Sequence, residues 1–282
     1  MLSHVASVVC VLVQLIEVSV VHGKIVSVCG VLDAPVMRRS GVNIEATRGA
    51  SPTKLWLVAH LDSKSQPVPM LVRVAGVVVL ALGLLGVAVF LLARSRVVAG
   101  ALVVTWIGGV PLMLSVVGKR SAGALDNASG VAAVLDAAAA LSPALPIGVL
   151  ITDAEELSLA GARAWGRARS QNAGVALNCD SIDDEGKLTA MYTQRRPVHL
   201  LATLAESAAA FHEPLRVRRL LPGILTDSVA LADAGWETLT LSRGTLRTLL
   251  RIHTSRDNLG SMRGTGIEGA ARVLARTAAR LV

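Results

Sequence analysis

Short apolar runs alternate with longer segments of helical periodicity along most of the chain. The apolar runs have the length and β-branched content of buried strands, and Gly, Pro and Ser bound many of them. Strands are predicted at residues 42–47, 55–59, 147–151, 175–179, 215–220 and 238–241. Helices are predicted at residues 130–141, 159–168, 199–211 and 227–234. A last helix follows Thr265, where Thr265 and Glu268 have the spacing of a capping box.

This alternation of strands and helices predicts one α/β domain. We expect a mostly parallel but mixed central sheet flanked by helices. At 282 residues the chain is long enough to bury one sizeable core. No internal repeat or low-complexity linker divides it.

Two apolar runs interrupt the pattern, at residues 74–93 and 97–117. Each has about the 20 uncharged residues that cross a bilayer core. They predict a transmembrane hairpin over residues 67–120, which separates an N-terminal part of the domain (1–66) from its main part (121–282). A buried hairpin in a soluble domain is the alternative. Arg73, Lys119 and Arg120 flank the open end and Arg94 and Arg96 the turn, which favours a catalytic domain on the cytoplasmic side.

Composition excludes several classes of protein. The formal net charge is +8, but the arginines are scattered without interleaved aromatic residues, so nucleic-acid binding is not predicted. Cys10, Cys29 and Cys179 are odd in number and widely spaced, which disfavours a disulfide framework and a thiolate zinc site. Residues 5–21 lack the basic flank and cleavage site of a secretory signal, and we expect a buried helix or strand pair there. Nothing in the sequence indicates the oligomeric state.

Polar side chains that can bind a metal recur where the predicted strands end. Imidazoles and carboxylates without thiolates suit zinc in an open, catalytic site. Each residue alone has a structural reading, such as a helix cap for Asp126 or a surface carboxylate for Asp180. Their recurrence at successive strand ends is what indicates a site. The candidates are His60, Asp62, Asp126, Glu155, Glu156, Asp180 and His253.

These residues lie in five segments that, in this order, resemble the signatures of the M28 family of di-zinc peptidases. That family includes bacterial aminopeptidases and glutamate carboxypeptidases. The resemblance runs from about residue 42 to the C-terminus, without the hairpin. The segments are His60-Leu61-Asp62-Ser63, Asp126-Asn127-Ala128-Ser129-Gly130, Asp153-Ala154-Glu155-Glu156, Asn178-Cys179-Asp180 and His253-Thr254-Ser255-Arg256-Asp257.

The resemblance implies two zinc ions per chain. Asp126 would bridge them. His60 and Asp180 would complete one site, and Glu156 and His253 the other. It also implies a non-proline cis peptide bond after Asp126.

The resemblance assigns roles to three further carboxylates. Asp62 would orient His60, and Glu155 would be the general base that activates water and then protonates the leaving amine. Asp227 matches a position in the family's substrate cleft. Departures are the 65 residues between His60 and Asp126, Ala154 where Gly is common, and Tyr192 as the only tyrosine that could stabilise an oxyanion.

The sequence therefore predicts a membrane-anchored zinc exopeptidase acting on peptides, most simply an aminopeptidase. A carboxypeptidase or a glutaminyl-cyclase-like enzyme would share the fold. A catalytically dead relative that serves as a membrane scaffold is the alternative from another class, although every implied ligand is present.

Overall fold

The structure, a computed structural model, describes residues 41–49, 52–93, 97–221 and 224–282. The element predicted at residues 5–21, Cys10 and Cys29, and the predicted turn at residues 94–96 lie outside these ranges.

A seven-stranded mixed sheet forms the centre of the domain, in the order β1-β3-β2-β4-β7-β5-β6. The four strands β3, β2, β4 and β7 run parallel, β1 and β5 pair antiparallel to their neighbours β3 and β7, and β6 is parallel to β5. This confirms the predicted α/β class with a mostly parallel sheet. The strands are β1 Ile44–Thr47, β2 Leu55–His60, β3 Ile147–Thr152, β4 Val175–Ile182, β5 Lys187–Tyr192, β6 Leu215–Arg219 and β7 Glu237–Gly244.

Helices cover both faces of the sheet because its central strands alternate apolar side chains toward both faces. The helices are α1 Met70–Leu92, α2 Val98–Met113, α3 Ser129–Ala140, α4 Ala160–Ala168, α5 Val198–Ala210, α6 Asp227–Asp233, α7 Leu246–Arg251 and α8 Thr265–Leu281. In β2, Leu55 and Leu57 pack in a cluster with α3, α5 and α8, and Trp56 and Val58 pack in a second cluster with α4 and α6.

Helices α1 and α2 form an antiparallel pair whose contact surface consists of small residues. A Cβ added to Gly83 would lie 2.6 Å from the backbone nitrogen of Thr105, and one added to Gly108 would overlap the backbone of Leu80. The large apolar side chains point outward instead, and Leu82 and Leu85 are about 60% exposed, at 61% and 62%. In a soluble protein the large apolar side chains would usually be buried and the exposed positions polar, so this pair has the reverse arrangement.

Helix α1, Met70–Leu92, is long and apolar enough to cross a membrane. No other helix within the described residues meets both criteria. Helix α2 ends at Met113, whereas the sequence predicted an apolar span over 97–117. Its 16 residues correspond to about 24 Å, less than the roughly 30 Å of a bilayer core. Beyond the end of α2, Gly118 pairs with Ser65 through two backbone hydrogen bonds of 2.8 and 2.9 Å.

The predicted capping box at the start of α8 is wrong. Gly264 is the N-cap residue, and no side chain of the helix caps its first turn. The carboxylate of Asp184 does so from a neighbouring loop. It accepts hydrogen bonds from the backbone N–H groups of Arg263 and Gly266 at 2.6 and 3.1 Å, and from the Thr265 hydroxyl at 3.0 Å.

We expect Asp184→Ala to lower the free energy of unfolding by about 1 kcal/mol, the typical contribution of a helix cap. Burial opposes the charge of Asp184, but the N–H groups of Arg263 and Gly266 outweigh it and lower the pKa of this carboxyl. The stabilisation is therefore present above the pKa of the unfolded chain and is lost as the pH falls through the lower, folded value. Thermal unfolding in detergent at pH 7 and pH 3 measures both effects.

The matched control is Glu185→Ala, which removes an exposed carboxylate from the adjacent position. Equal melting temperatures for the two variants at pH 7 would contradict the assignment of Asp184 as the cap of α8.

Candidate metal centre

The ends of three parallel strands bring the candidate ligands to one edge of the sheet. His60 is the last residue of β2, Asp180 lies near the end of β4, and Glu156 lies in the turn that follows β3. Asp126 comes from an irregular turn at 124–128 that precedes α3, and His253 follows α7. Ligands in open α/β sheets bind at this edge.

The carboxylate of Asp126 lies between the two imidazoles. Its Oδ1 is 3.2 Å from Nε2 of His60, and its Oδ2 is 3.0 Å from Nε2 of His253. Glu156 Oε1 is 2.9 Å from Nε2 of His253, and Asp180 Oδ1 is 4.0 Å from Nε2 of His60. The side chains thus form two sets of three donor atoms, and within each set the atoms lie within 4.8 Å of one another. Asp126 belongs to both sets.

Both donor sets fit a dication. His60 Nε2 and Glu156 Oε1 are buried but make no hydrogen bond of acceptable geometry, despite their short distances to neighbouring donors and acceptors. Buried polar atoms without partners are costly, and a metal ion would satisfy them. Oxygen and imidazole nitrogen donors without sulfur are typical of catalytic zinc sites.

The electrostatics of the centre also point to a bound cation. Burial opposes the charge of Asp126, but the imidazoles of His253 and His60 close to its oxygens hold the pKa of its carboxyl well below the usual range. Burial and the neighbouring charge of Asp126 raise the pKa of Asp180 to about 7. Burial, with the charges of Asp180 and other nearby carboxylates, also raises the pKa of Glu155. A dication would relieve this repulsion among carboxylates.

A family comparison identifies the chain. The family model described as "Peptidase family M28" matches residues 43–278. The chain belongs to peptidase family M28. The match includes all the candidate ligands and spans the α1–α2 pair. A search of curated proteins finds no significant match.

Solved structures share the M28 fold. The zinc aminopeptidase BSAP from Bacillus subtilis superposes with a TM-score of 0.56 at 15% identity, covering 83% of this chain and 48% of its own. The aminopeptidase from Aneurinibacillus sp. strain AM-1 gives 0.56 at 12% identity, covering 85% and 47%. LapB from Legionella pneumophila gives 0.56 at 12% identity, covering 85% and 59%. The chain thus spans about half the length of the first two proteins.

Three side chains of this M28 peptidase tie the ligand-bearing segments together. The carboxylate of Asp62 accepts hydrogen bonds from the backbone N–H groups of Glu155 and Glu156 at 2.9 and 3.0 Å. Its backbone oxygen lies 3.0 Å from Nδ1 of His60, closer than the carboxylate at 3.6 Å. Asp62 therefore fixes the acidic turn after β3 relative to the end of β2.

Asp257 and Asn127 connect the remaining ligand segments. Asp257 accepts hydrogen bonds from the N–H groups of Leu125 and Asp126 at 2.6 and 3.2 Å, which joins the His253 loop to the turn of Asp126. Asn127 donates to the backbone oxygen of Cys179 and accepts from the N–H of Ser181, at 3.0 and 3.1 Å. The peptide bond between Asp126 and Asn127 is cis, as the resemblance implied.

Two cationic side chains that the sequence analysis did not place in the site contact the candidate ligands. Nζ of Lys64 lies 2.5 Å from Oε2 of Glu156, and Nη2 of Arg73 lies 3.1 Å from Nδ1 of His253. The only signals in the sequence are their positions, since Lys64 directly follows the His60 segment and Arg73 immediately precedes the first apolar run.

Asp227 and Tyr192 do not line the cavity over the centre. Asp227 is fully buried, and it accepts a hydrogen bond from Thr152 behind the acidic turn. Its charge still contributes to the raised pKa of Glu155. Its contact with substrate stays a prediction. Tyr192 packs against the main core cluster at the end of β5, away from the cavity wall.

If Asp126 serves both metal ions, Asp126→Asn should weaken both sites together. We expect the zinc content to fall toward zero and the melting temperature to drop, since a bound ion stabilises the folded state by mass action. Metal analysis by mass spectrometry after dialysis, with a thermal scan, measures both.

Asp136→Asn provides the control, because Asp136 is exposed on α3. A variant that keeps one ion would place Asp126 in one site only, and a variant that keeps both would exclude it as a ligand.

Proposed function

We propose that this M28 peptidase is a zinc-dependent exopeptidase, specifically an aminopeptidase, anchored in a membrane by α1 and α2. The observation that carries the proposal is the arrangement of carboxylates at the sheet edge. Asp126 belongs to both donor sets, while Glu155 lies beside them and belongs to neither. A shared ligand with an adjacent free carboxylate is the arrangement that metal-assisted hydrolysis needs.

His60, Asp126 and Asp180 would hold one zinc ion, and Asp126, Glu156 and His253 the other. When bound, the two ions supply a charge that polarises the peptide carbonyl and makes water acidic enough to react near neutral pH. Lys64 pairs with Oε2 of Glu156, and Oε1 of the same carboxylate faces the centre.

Glu155 is the proposed general base. It is 7% exposed and lines the cavity, and its side chain makes no hydrogen bond or ion pair within the described residues. A carboxylate oxygen of Glu155 would take a proton from the attacking water and deliver it to the leaving amine. The hydrogen bond from its N–H to Asp62 holds its backbone in place.

The charge of the cavity favours attack at the amino end of a peptide. Carboxylates line one side of it, and Glu155, which lies outside both donor sets, would attract a free α-ammonium group. The solved structures named as aminopeptidases share this fold. Arginines on the opposite wall instead favour a carboxypeptidase as the second candidate, since they could bind a terminal carboxylate.

Helix α2 by itself is shorter than a bilayer core, and its packing against α1 is what supports the membrane anchor. Small residues let membrane helices approach closely, and large apolar side chains face the lipid. This pair has both features, with Gly76, Gly83 and Thr105 buried and Val78 and Trp106 exposed. In a soluble domain the same exposed surface would be an aggregation hazard.

Exopeptidase activity is tested with leucine anilide, its N-acetylated form, and a chelator. We expect Glu155→Gln to reduce turnover by about 10²- to 10⁴-fold, the usual contribution of a general base, with the zinc content unchanged. The matched variant Glu156→Gln should lose zinc as well as activity.

Equal zinc loss in the two variants would show that Glu155 is a ligand rather than the base. Cleavage of the N-acetylated substrate at the rate of the free one would exclude the aminopeptidase mode.

Connectivity constrains the topology in the membrane. His60 precedes α1 and Asp126 follows α2, and both belong to one centre, so the chain must cross the bilayer an even number of times between them. With the native cysteines replaced, we expect Ser63→Cys and Lys119→Cys to react with an impermeant maleimide from one side of sealed vesicles. Ala93→Cys should react from the other.

Labelling of all three positions from one side would mean that α1 and α2 do not span the bilayer. Labelling of Ser63→Cys in intact cells would overturn the cytoplasmic orientation that the flanking charges favour.

A further inference from the structure

A cavity of about 540 Å³ lies over the metal centre, and its two ends carry opposite charge. The carboxylate ligands form one end. Arg216 and Arg218 of β6 and Arg243 of β7 contribute to the wall away from the ligand-bearing turns. A volume of this size accommodates a small peptide.

Most of the cations on the cavity wall are already paired. Lys64 lies against Glu156 at 2.5 Å, Arg73 against His253 at 3.1 Å, and Arg243 against Glu213 at 2.8 Å. The charges of Lys64 and Arg243 are therefore neutralised within the protein, and Arg73 is held against the imidazole of a candidate ligand.

Arg216 and Arg218 are different. Neither has a carboxylate partner within the described residues. Arg218 Nη2 donates only to the thioether sulfur of Met191, at 3.5 Å, and its Nε is buried without a partner. A thioether is a weak acceptor, so the guanidinium keeps most of its capacity to bind an anion.

The strand places both arginines on the same side. In β6, Leu215 and Val217 pack against the main core cluster, and the alternate positions Arg216 and Arg218 face the cavity. Two cations at alternate positions of a strand repel one another, which costs stability unless an anion binds between or beside them. Guanidinium groups bind carboxylates in a two-pronged geometry.

We propose that Arg216 and Arg218 form a subsite for a carboxylate on the part of the peptide that follows the cleaved bond. The inference rests on the proposed function. With the α-ammonium beside Glu155, the second residue of the substrate would extend toward the arginines. The preferred substrates are therefore short peptides with an acidic second residue or a nearby free C-terminus.

Four substrates that begin with leucine separate the two sources of a carboxylate. Leu-Glu-NH₂ carries a side-chain carboxylate, and Leu-Gln-NH₂ is its neutral isostere. Leu-Ala carries a terminal carboxylate, and Leu-Ala-NH₂ lacks it. We expect the carboxylate form of at least one pair to have a KM lower by roughly 10- to 100-fold, the range of a charge-assisted hydrogen bond. This preference should shrink as ionic strength rises.

Arg218→Gln and Arg216→Gln should remove most of the preference through KM, while the zinc content stays the same because neither arginine contacts a ligand. Arg219→Gln is the matched control and should keep the preference. Arg219 is exposed at the end of the same strand, donates to the backbone oxygen of Thr193, and does not line the cavity.

The outcomes separate the two proposals. Zinc-dependent cleavage of all four substrates with equal KM in each pair would overturn the subsite and leave the aminopeptidase intact. A preference that survives in both Arg216→Gln and Arg218→Gln would also overturn it. Cleavage of none of the four would overturn the proposed function and the subsite with it.

Discussion

The contact on which this domain depends is the carboxylate of Asp126 between two imidazoles. His60 ends the strand β2, whereas His253 lies 193 positions later in a loop near the C-terminal helix. Each imidazole faces a different oxygen of Asp126, at 3.2 and 3.0 Å. The side chains of Asp257 and Asn127 hold the turn of Asp126 by accepting hydrogen bonds from backbone N–H groups. The two halves of the centre therefore cannot move independently.

The same constraint governs the α1–α2 pair inserted between His60 and Asp126. Because both residues must meet at one sheet edge, the inserted chain has to return to its starting point. An isolated β-bridge between Ser65 and Gly118 closes that loop, and the N–H of Arg120 donates to the Ser65 hydroxyl at 2.7 Å. Arg73 in the first turn of α1 then reaches His253. The insertion is thus joined directly to the centre.

Local pattern was sufficient to predict the strands that build the sheet edge. The order of five short segments was sufficient to select the candidate ligands that the fold brings together. Strand β5 was missed because Ala190 and flanking polar residues weaken its apolar pattern. Helix α7 was missed because it has six residues and its capping box pairs Thr245 with Thr248, not with Glu or Gln. The cap of α8 by Asp184 joins residues about 80 positions apart, at 184 and 263–266, which no local rule detects.

The energetics of the centre explain why its ligand set is coupled to the fold. With the side chains alone, Asp126 remains charged between two imidazoles, while burial and its charge raise the pKa of Asp180. The negative charge of Asp126 therefore favours the protonated form of Asp180. Two dications would carry four positive charges among Asp126, Glu155, Glu156 and Asp180, so every carboxylate could stay ionised. Metal binding and folding then stabilise one another, since the buried negative charge that opposes folding is what binds the ions.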